Sequence, residues 1–273
     1  MLHLLIELSP IIPDTVVCLC YYASENMLTK NQIKLIKSLH EKKYRNEYGL
    51  FLVEGVKSVS ELISSDFIID HLLTTPEFFN NYKKIIADKN IKYDIVDQEE
   101  LEKVSAFESN DSALAVVKQK ENIPFETSEN EIIVALDEIK DPGNLGTIIR
   151  IADWYGVKKI VASENTTDLY NNKVISASMG SFTRVSLFYT DLKKYLSETK
   201  LPILGAFLKG ENVHTTEFPK KGILLMGNES NGISKELEKI VTKKITIPAY
   251  GETESLNVAI STAVILDNWK RNL

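Results

Sequence analysis

Three short blocks in the second half of the chain carry side chains suited to ligand binding and proton handling. The blocks are residues 141–150, 224–232 and 247–261, and each joins glycines and small polar residues to an apolar flank. Such groups can hold a polar ligand, orient a hydroxyl and deal with its proton. The polar side chains of greatest interest are two amides, a guanidinium, a carboxylate and a hydroxyl: Asn144, Asn257, Arg150, Glu229 and Ser255.

Each block taken alone also has a purely structural explanation. Asn144 would cap an ordinary helix that begins near Leu145. Glu229 would be a surface loop carboxylate, as a lone glutamate in a loop usually is. Ser255 would cap the last helix, with Asn257 as a poor helix residue on its surface. The order and spacing of all three blocks, rather than any single one, therefore point to chemistry.

The first part of the chain predicts a small α/β unit. An amphipathic helix follows Thr29 as its cap, because apolar residues recur there at helical spacing. Asp97 with Glu100 is a capping signal for a helix that runs to Val104. A further helix follows residue 55, and strands are predicted at residues 51–53, 67–73, 91–96 and 114–117. This alternation assigns residues 27–118 to one domain, with the acidic stretch 119–131 as a linker.

A second α/β unit is predicted over residues 132–273. Helices are expected at residues 145–155, 191–198, 234–241 and 255–272. Strands are expected at residues 132–136, 159–161, 185–189, 203–207, 223–226 and 244–247. Strands alternating with helices imply a mostly parallel sheet, and ligands of such sheets bind beyond the carboxyl ends of the strands. The three blocks fall at predicted strand ends or at loop-to-helix joints.

Charge is unevenly distributed along this acidic chain. The net charge is −6 over 273 residues, which argues mildly against a protein coated in nucleic acid. Residues 27–60 nevertheless hold seven Lys/Arg and three Glu, a local charge of +4, and phosphate binding depends on local potential. For any single lysine a solvated surface position is an equally good explanation. The candidate RNA-binding residues are Lys34, Lys37, Lys42, Lys43 and Arg45.

The first 26 residues fit neither the predicted domains nor a targeting segment. Their apolar stretch is interrupted by Glu7 and two prolines, is too short to span a bilayer, and lacks a basic start. We expect a non-native or disordered extension, with translation beginning at Met27. Cys18 and Cys20 are too close in sequence for an unstrained disulfide and have no nearby metal partners. We therefore expect reduced thiols, no metal, no membrane insertion and a cytoplasmic location.

The ordered blocks resemble the SpoU (TrmH) branch of the SPOUT RNA methyltransferases. Members of this branch methylate ribose 2′-hydroxyls with S-adenosylmethionine. The segment 51–55, with Val59 and Leu62, is similar to the L30e-like substrate-binding domain of the family. The resemblance implies a C-terminal α/β domain with a trefoil knot and a homodimer that buries the knot and the last helix. Two departures are the aromatic pair Trp154-Tyr155 before Gly156 and the absence of a glycine in residues 108–111.

The resemblance also implies roles for individual residues. It assigns cofactor binding to five positions, largely through backbone groups: Leu225, Gly227, Asn228, Ile247 and Leu256. It assigns catalysis to Asn144, Arg150, Glu229, Ser255 and Asn257. Guanidinium keeps its proton in proteins, so we expect Arg150 to clamp an RNA phosphate and stabilise developing oxyanion charge. The proton of the reacting hydroxyl would pass to phosphate, water or Glu229, and these three remain open.

Two other classes of function compete with RNA methylation. A non-catalytic RNA-binding protein could keep the fold, although the complete set of polar residues argues against it. A doubly wound dehydrogenase-like enzyme would need a Gly-x-Gly-x-x-Gly turn after its first strand, and neither unit has one. A protein-interaction scaffold explains none of the three blocks. The substrate itself, ribosomal or transfer RNA, is not encoded in an obvious motif, and the two-domain organisation favours ribosomal RNA.

Overall fold

The computed structural model describes residues 28–106, 110–125 and 131–273. The expectations about residues 1–26, Met27 and the two cysteines lie outside these described residues. We refer to residues 28–118 as the N-terminal unit and to residues 131–273 as the C-terminal unit. No helix in the described ranges combines the length and the apolar composition required to cross a bilayer.

The N-terminal unit is a four-stranded sheet with helices on both faces. Its elements are α1 (Lys30–Ser38), α2 (Lys42–Tyr48), β1 (Leu50–Glu54), α3 (Val56–Ile63), β2 (Ile69–Thr74), α4 (Pro76–Asp88), β3 (Tyr93–Ile95), α5 (Gln98–Val104) and β4 (Ala113–Lys118). The strand order is β1-β4-β2-β3, with β4 antiparallel to both β1 and β2. Alternate residues of β1 enter opposite layers, because Phe51 and Val53 join one core cluster while Leu52 joins the other.

The predicted helix starts of this unit are confirmed where the capping chemistry was recognised. Thr29 and Gln32 form a reciprocal capping box at the start of α1. The Asp97 side chain accepts from the backbone N–H of Glu100 and so caps α5. The analysis of the sequence did not predict α4, which begins at Pro76 after Thr75 as its cap. A threonine followed by proline is itself a helix-start signal, so this omission could have been avoided.

The C-terminal unit is a six-stranded sheet in which every neighbouring pair is parallel, as predicted. Its elements are β5 (Ile132–Leu136), α6 (Pro142–Trp154), β6 (Lys159–Ser163), α7 (Asn172–Ser178), β7 (Ser186–Thr190), α8 (Leu192–Glu198), β8 (Ile203–Asn212), β9 (Gly222–Met226), α9 (Lys235–Glu238), β10 (Lys243–Thr246) and α10 (Val258–Arg271). The strand order is β10-β8-β9-β5-β6-β7, so the fully buried β5 and β9 lie at the centre. The carboxyl ends of these two strands carry the first and second blocks.

Several element boundaries differ from the predictions, and the differences affect the site. Helix α6 begins three residues before Leu145, because Asp141 rather than Asn144 accepts the capping hydrogen bond. Helix α10 begins at Val258 with Asn257 as its cap, not at Ser255. Helix α7 was not predicted, α9 is shorter than residues 234–241, and β8 continues beyond residue 207. The side chains of Asp141 and Asn257 accept the capping hydrogen bonds and so mark both helix starts.

The two units contact each other through an aromatic cluster and polar contacts. Phe51 lies 4.5 Å from Tyr170 and 6.2 Å from Phe182 between ring centroids. The segment predicted as a linker is partly fixed to the C-terminal unit, since Asn122 exchanges two hydrogen bonds with the backbone of Tyr189 in β7. The backbone N–H of Lys120 also donates to the Tyr170 hydroxyl. Residues 120–124 are exposed, and the contacts of Lys120 and Asn122 tie this part of the predicted linker to the C-terminal unit.

Candidate active site

The structure joins one side chain from each of the three blocks in a single hydrogen-bonded chain. The Asn144 side-chain amide donates to Oε1 of Glu229 over 3.0 Å. The Asn257 side-chain amide donates to Oδ1 of Asn144 over 2.9 Å. These three residues come from the first turn of α6, the loop after β9 and the residue before α10. Their separation by 85 and 113 residues in sequence makes this a product of tertiary folding.

Asn144 can make these contacts because it does not cap its own helix. Asp141 Oδ1 accepts from the Asn144 backbone N–H over 2.8 Å, and Pro142 occupies the first helical position without needing a donor. The Asn144 side chain is thereby free to face the neighbouring loop. The expected cap role of Asn144 is wrong, and this correction explains how its amide reaches Glu229.

Glu229 is held ionised by the donors around it. Oε1 accepts from Asn144 and from the backbone N–H of Asp141 at 3.3 Å, and Oε2 accepts from the N–H of Lys140 at 3.4 Å. Partial burial would raise the pKa of Glu229, but the Asn144 side chain and the surrounding backbone N–H groups outweigh it and hold the pKa below its ordinary value of 4.5. The carboxylate is therefore an acceptor at neutral pH and a weak base.

Arg150 lies on a different face of α6 from Asn144. Its side chain is exposed and forms no ion pair with any residue in the described ranges. Trp154, one turn further on the same face, is 84% exposed. The structure thus leaves the guanidinium free for an external partner, and does not bring it into the hydrogen-bonded chain of Asn144, Glu229 and Asn257.

The loop after β9 is ordered by Asn228. Its side-chain amide donates to the Glu138 carbonyl over 2.8 Å, and its Oδ1 accepts from the N–H groups of Ser230 and Asn231. Its backbone pairs with Gly232 in both directions. These contacts orient the loop that carries Glu229, and the cofactor contact of Asn228 remains a prediction.

Two glycines have packing roles that the sequence did not reveal. A Cβ at Gly227 would lie 2.2 Å from the backbone of Gly232 and Ile233, so only glycine allows this loop to fold back on itself. A Cβ at Gly146 would lie 2.5 Å from the carbonyl oxygen of Val174 in α7. Gly146 therefore permits close packing of α6 on α7.

The remaining predicted cofactor residues lie on separate loops around the chain of polar groups. Gly227 follows β9, Ile247 follows β10 and Leu256 precedes α10. The backbone N–H groups of these three residues make no hydrogen bond to any described residue. Leu256 is 47% exposed. Free backbone donors beside an exposed apolar side chain suit a flat heteroaromatic ring with polar edges, so these residues fit an adenosine-containing cofactor.

Leu225 is a further correction, and Ser255 is left without a defined contact to the other site residues. Leu225 is fully buried in a core cluster and pairs with Ala135 on one side and with Gly205 on the other. Neither its side chain nor its backbone is available to a cofactor. Ser255 is exposed, and its carbonyl accepts from the Thr253 hydroxyl. Its predicted catalytic role remains a prediction.

Arg45 does not belong to an RNA-binding surface. Its side chain is 2% exposed, pairs with Asp168 Oδ2 at 2.8 Å and donates to the carbonyls of Leu39 and His40. A phosphate cannot reach a guanidinium that is only 2% exposed, so the prediction is wrong. The four lysines predicted with it are exposed: Lys34, Lys37, Lys42 and Lys43.

Residues around the end of β5 also support the site, and sequence reasoning missed them. Asp137 is buried, and its Oδ2 accepts from the Ser234 N–H over 2.8 Å, which closes the loop after β9. Glu138 adopts a left-handed conformation with φ of 56° and presents its carbonyl to Asn228. An acidic residue directly after a continuous apolar strand was the available signal for Asp137.

Comparison with protein families agrees with this geometry. Residues 131–267, half of the chain, match the SpoU rRNA Methylase family model. The chain belongs to this family. Residues 30–115 match the model of the MRM3-like substrate binding domain. The first match contains all three blocks, and the second covers almost the whole N-terminal unit.

Individual relatives are similar over nearly the full chain. The 23S rRNA (guanosine(2553)-2'-O)-methyltransferase RlmP of Bacillus subtilis is 29% identical over 245 residues, which cover 87% of this chain and 95% of RlmP. A putative TrmH-family RNA methyltransferase structure from Porphyromonas gingivalis is 32% identical with a TM-score of 0.78, covering 90% of this chain and 99% of that one. An AdoMet-bound rRNA methyltransferase structure from Sinorhizobium meliloti is 28% identical with a TM-score of 0.81, covering 90% and 96%.

Proposed function

We propose that the protein transfers a methyl group from S-adenosylmethionine to a ribose 2′-hydroxyl of ribosomal RNA. The observation that carries the proposal is the hydrogen-bonded chain of Asn144, Glu229 and Asn257 at the meeting point of three loops. Ribosomal RNA is favoured because the similarity to RlmP extends through the N-terminal unit. The tRNA (guanosine(18)-2'-O)-methyltransferase of Aquifex aeolicus is 32% identical, but its similarity covers only 52% of this chain.

The loops after β9 and β10 and the residue before Asn257 would hold the cofactor. Gly227, Ile247 and Leu256 would offer their backbone N–H groups, and the exposed Leu256 side chain would offer an apolar contact. When bound, S-adenosylmethionine supplies a sulfonium methyl, which is already electrophilic without help from a metal. The task left to the protein is to orient and activate a hydroxyl whose pKa lies far above neutrality.

Glu229 acts as a positioning residue and not as the base. Its two oxygens already accept hydrogen bonds from the Asn144 amide and from the backbone N–H groups of Asp141 and Lys140, so the carboxylate is engaged in holding the site together. It fixes the Asn144 amide, which in turn accepts from Asn257. The hydroxyl proton then passes to an RNA phosphate or to water.

Arg150 binds the phosphate beside the target ribose. Its guanidinium is exposed and free of carboxylate partners among the described residues. Bidentate contact with phosphate would place the nucleotide and stabilise negative charge that develops on the 2′-oxygen. Ser255, on the exposed loop before α10, completes the proposed substrate contacts.

A homodimer is part of the proposal. Trp154 on α6 and Ile260 on α10 are 84% and 51% exposed, and these two helices pack together. Tyr155 donates to Asp267 across the same pair at 3.5 Å. An apolar surface on the pair is typical of a subunit interface. Sedimentation should show a dimer that Trp154→Glu converts to monomer while Leu208→Glu, at a distant exposed position, does not.

The family resemblance supplies three further parts of the proposal. The C-terminal unit contains a trefoil knot, residues 27–118 form the RNA-binding domain, and the enzyme works in the cytoplasm, where ribosomal RNA is made in bacteria.

A wild-type protein that sediments as a monomer at micromolar concentration would refute the dimer and leave the reaction untouched.

The experiment that tests the reaction is methyl transfer to RNA from a strain that lacks this gene. Labelled S-adenosylmethionine is supplied with wild-type protein, with Arg150→Ala and with Arg150→Lys. We expect label in one RNA species with wild type only, and mapping of ribose methylation then identifies the nucleotide. Label in transfer RNA would replace the proposed substrate. Near-normal rates with Arg150→Lys would show that bidentate phosphate contact is not needed.

A further inference from the structure

Helix α2 carries a stacked pair of tyrosines, of which Tyr44 is half-buried and Tyr48 is exposed. The rings of Tyr44 and Tyr48 lie 6.2 Å apart between centroids and are inclined by only 14°. Tyr48 is 48% exposed, and the Lys43 ammonium lies 5.4 Å from the centre of the Tyr44 ring. None of the contacts within the N-terminal unit requires two parallel tyrosines at this surface. Parallel aromatic rings beside a cation form a surface on which a nucleic-acid base can stack.

Helices α1 and α2 together carry the strongest local positive charge of the N-terminal unit. Residues 30–48 hold six Lys/Arg and two Glu, a net charge of +4, in a chain whose net charge is −6. Arg45 is the one cation of this segment that pairs with a carboxylate within the described ranges. The others remain available to phosphates: Lys30, Lys34, Lys37, Lys42 and Lys43. By contrast, Lys57 and Lys103, elsewhere in the N-terminal unit, are paired with glutamates.

Helix α2 is fixed to the loop that leads to the active site. Arg45, between the tyrosines in sequence, is buried and pairs with Asp168 of the C-terminal unit at 2.8 Å. One residue earlier, Thr167 donates its N–H to the Ile139 carbonyl over 2.8 Å. The next residue after Ile139 is Lys140, whose N–H donates to Glu229. A short run of contacts therefore joins the tyrosine pair to the candidate active site.

We propose that Tyr44 and Tyr48 form a stacking platform for an unpaired base of the substrate RNA, with Lys42 and Lys43 on the adjacent phosphates. The inference rests on the proposed function and narrows its substrate to RNA that has an unstacked base near the modified nucleotide. Buried Arg45 positions the platform and does not touch RNA. Aromatic faces accept bases that have left a helix, whereas the bases of a continuous duplex are already stacked on one another.

The first test measures steady-state kinetics with protein-free ribosomal RNA from the strain that lacks this gene. We compare wild type with Tyr48→Leu, which removes the ring, and with Tyr48→Phe, which keeps it. Tyr93→Leu is the matched control, because Tyr93 is an exposed tyrosine on β3, away from α2. We expect Tyr48→Leu to raise KM for RNA about tenfold with kcat within about twofold, and Tyr48→Phe to recover most of the affinity.

The second test separates stacking from charge. The logarithm of RNA affinity is measured against the logarithm of salt concentration. Replacing Lys42 and Lys43 with glutamine should reduce the slope by about 1.4, from about 0.7 for each contact to single-stranded nucleic acid. Tyr48→Leu should weaken binding at every salt concentration and leave the slope unchanged. In a competition assay, an unstructured oligonucleotide should displace bound substrate RNA from the wild-type protein at a lower concentration than a duplex of equal length.

The outcomes distinguish this proposal from the reaction itself. Wild-type protein that methylates no RNA refutes the proposed function. Wild-type protein that methylates RNA while Tyr48→Leu binds and turns over normally refutes only the platform. If Tyr48→Leu weakens binding to assembled ribosomal particles but not to protein-free RNA, the tyrosines contact a protein and the base-stacking proposal is wrong. Equal competition by duplex would also overturn it.

Discussion

Replacing Asn144 with aspartate would exchange the central donor of the site for a second negative charge. In the structure the Asn144 amide donates to Glu229 over 3.0 Å and its oxygen accepts from Asn257. Aspartate is nearly the same size and keeps the acceptor that faces Asn257. The change is therefore confined to the contact with Glu229, where two carboxylates would oppose each other.

The magnitude follows from two contributions. Two unit charges about 4 Å apart repel by about 1 kcal/mol in bulk water and by about 4 kcal/mol at a surface dielectric near 20. Glu229 is exposed, so we take a repulsion of about 2 kcal/mol. Loss of a hydrogen bond to a charged group costs about 1.5 to 3 kcal/mol more. At about 1.4 kcal/mol per tenfold, the sum of about 3.5 to 5 kcal/mol predicts a decrease in kcat/KM of about 300-fold to about 4,000-fold at pH 8.

The variant should partly recover in acid, which distinguishes repulsion from simple damage. Adjacent carboxylates raise the pKa of one member of the pair, and its protonation restores a hydrogen-bond donor. The measurement is the initial rate of labelled methyl transfer. The rate of Asn144→Asp, divided by that of wild type at the same pH, should therefore rise as the pH falls from 8 to 6. Combining Asn144→Asp with Glu229→Gln reverses donor and acceptor and should rescue the rate at pH 8 to within about tenfold of wild type.

Two results would refute this reasoning. The first is an Asn144→Asp variant that retains more than about a third of wild-type kcat/KM at pH 8. The second is a variant whose pH profile runs parallel to that of wild type, with no rescue by Glu229→Gln. Either would mean that the contact between Asn144 and Glu229 seen in the folded protein does not matter in the transition state.

Three further predictions follow from the site and the junction of the units. Gly227→Ala should abolish S-adenosylmethionine binding in calorimetry without loss of secondary structure, because its Cβ would overlap backbone at 2.2 Å; Gly251→Ala, with open space around it, should bind normally. Asp168→Asn should lower the free energy of urea unfolding by about 3 kcal/mol by leaving Arg45 buried without its partner, and a decrease below about 1 kcal/mol would contradict this. The pKa of Glu229 in the folded protein lies below the ordinary value of 4.5. The carboxylate therefore stays ionised at pH 4.5 and above, and it takes up a proton only when the pH falls through that lower pKa. Wild-type kcat/KM should thus show no loss from this group between pH 8 and 5.

Local chemistry allowed much of the fold to be predicted. The parallel C-terminal sheet was predictable because its strands are short apolar runs that alternate with helical segments, as β5 and β9 illustrate. Helix starts were predicted well where one capping residue stood alone, as at Thr29 and Asp97. They were misplaced at α6 and α10, where two nearby polar residues could each serve as a cap and the local sequence does not show which of them does.

The candidate site was predictable as a set of residue types, but not as a geometry. The sequence by itself determined that Asn144, Glu229 and Asn257 lie at the ends of strands or helices, since apolar periodicity fixes where each element stops. It could not determine that their side chains form one chain of hydrogen bonds, because these contacts span 85 and 113 residues. No local preference carries information over such distances.

Tertiary structure alone decided which polar residues face solvent. Arg45 and Lys43 look equivalent in the sequence, yet Arg45 is buried against Asp168 and Lys43 lies beside an exposed tyrosine. The reason is physical: burial of a charge depends on whether a partner arrives from elsewhere in the chain to offset the cost of desolvation. The sequence determined the elements and the chemical groups that they carry, and the packing of the two units decided which of those groups remain available to a substrate.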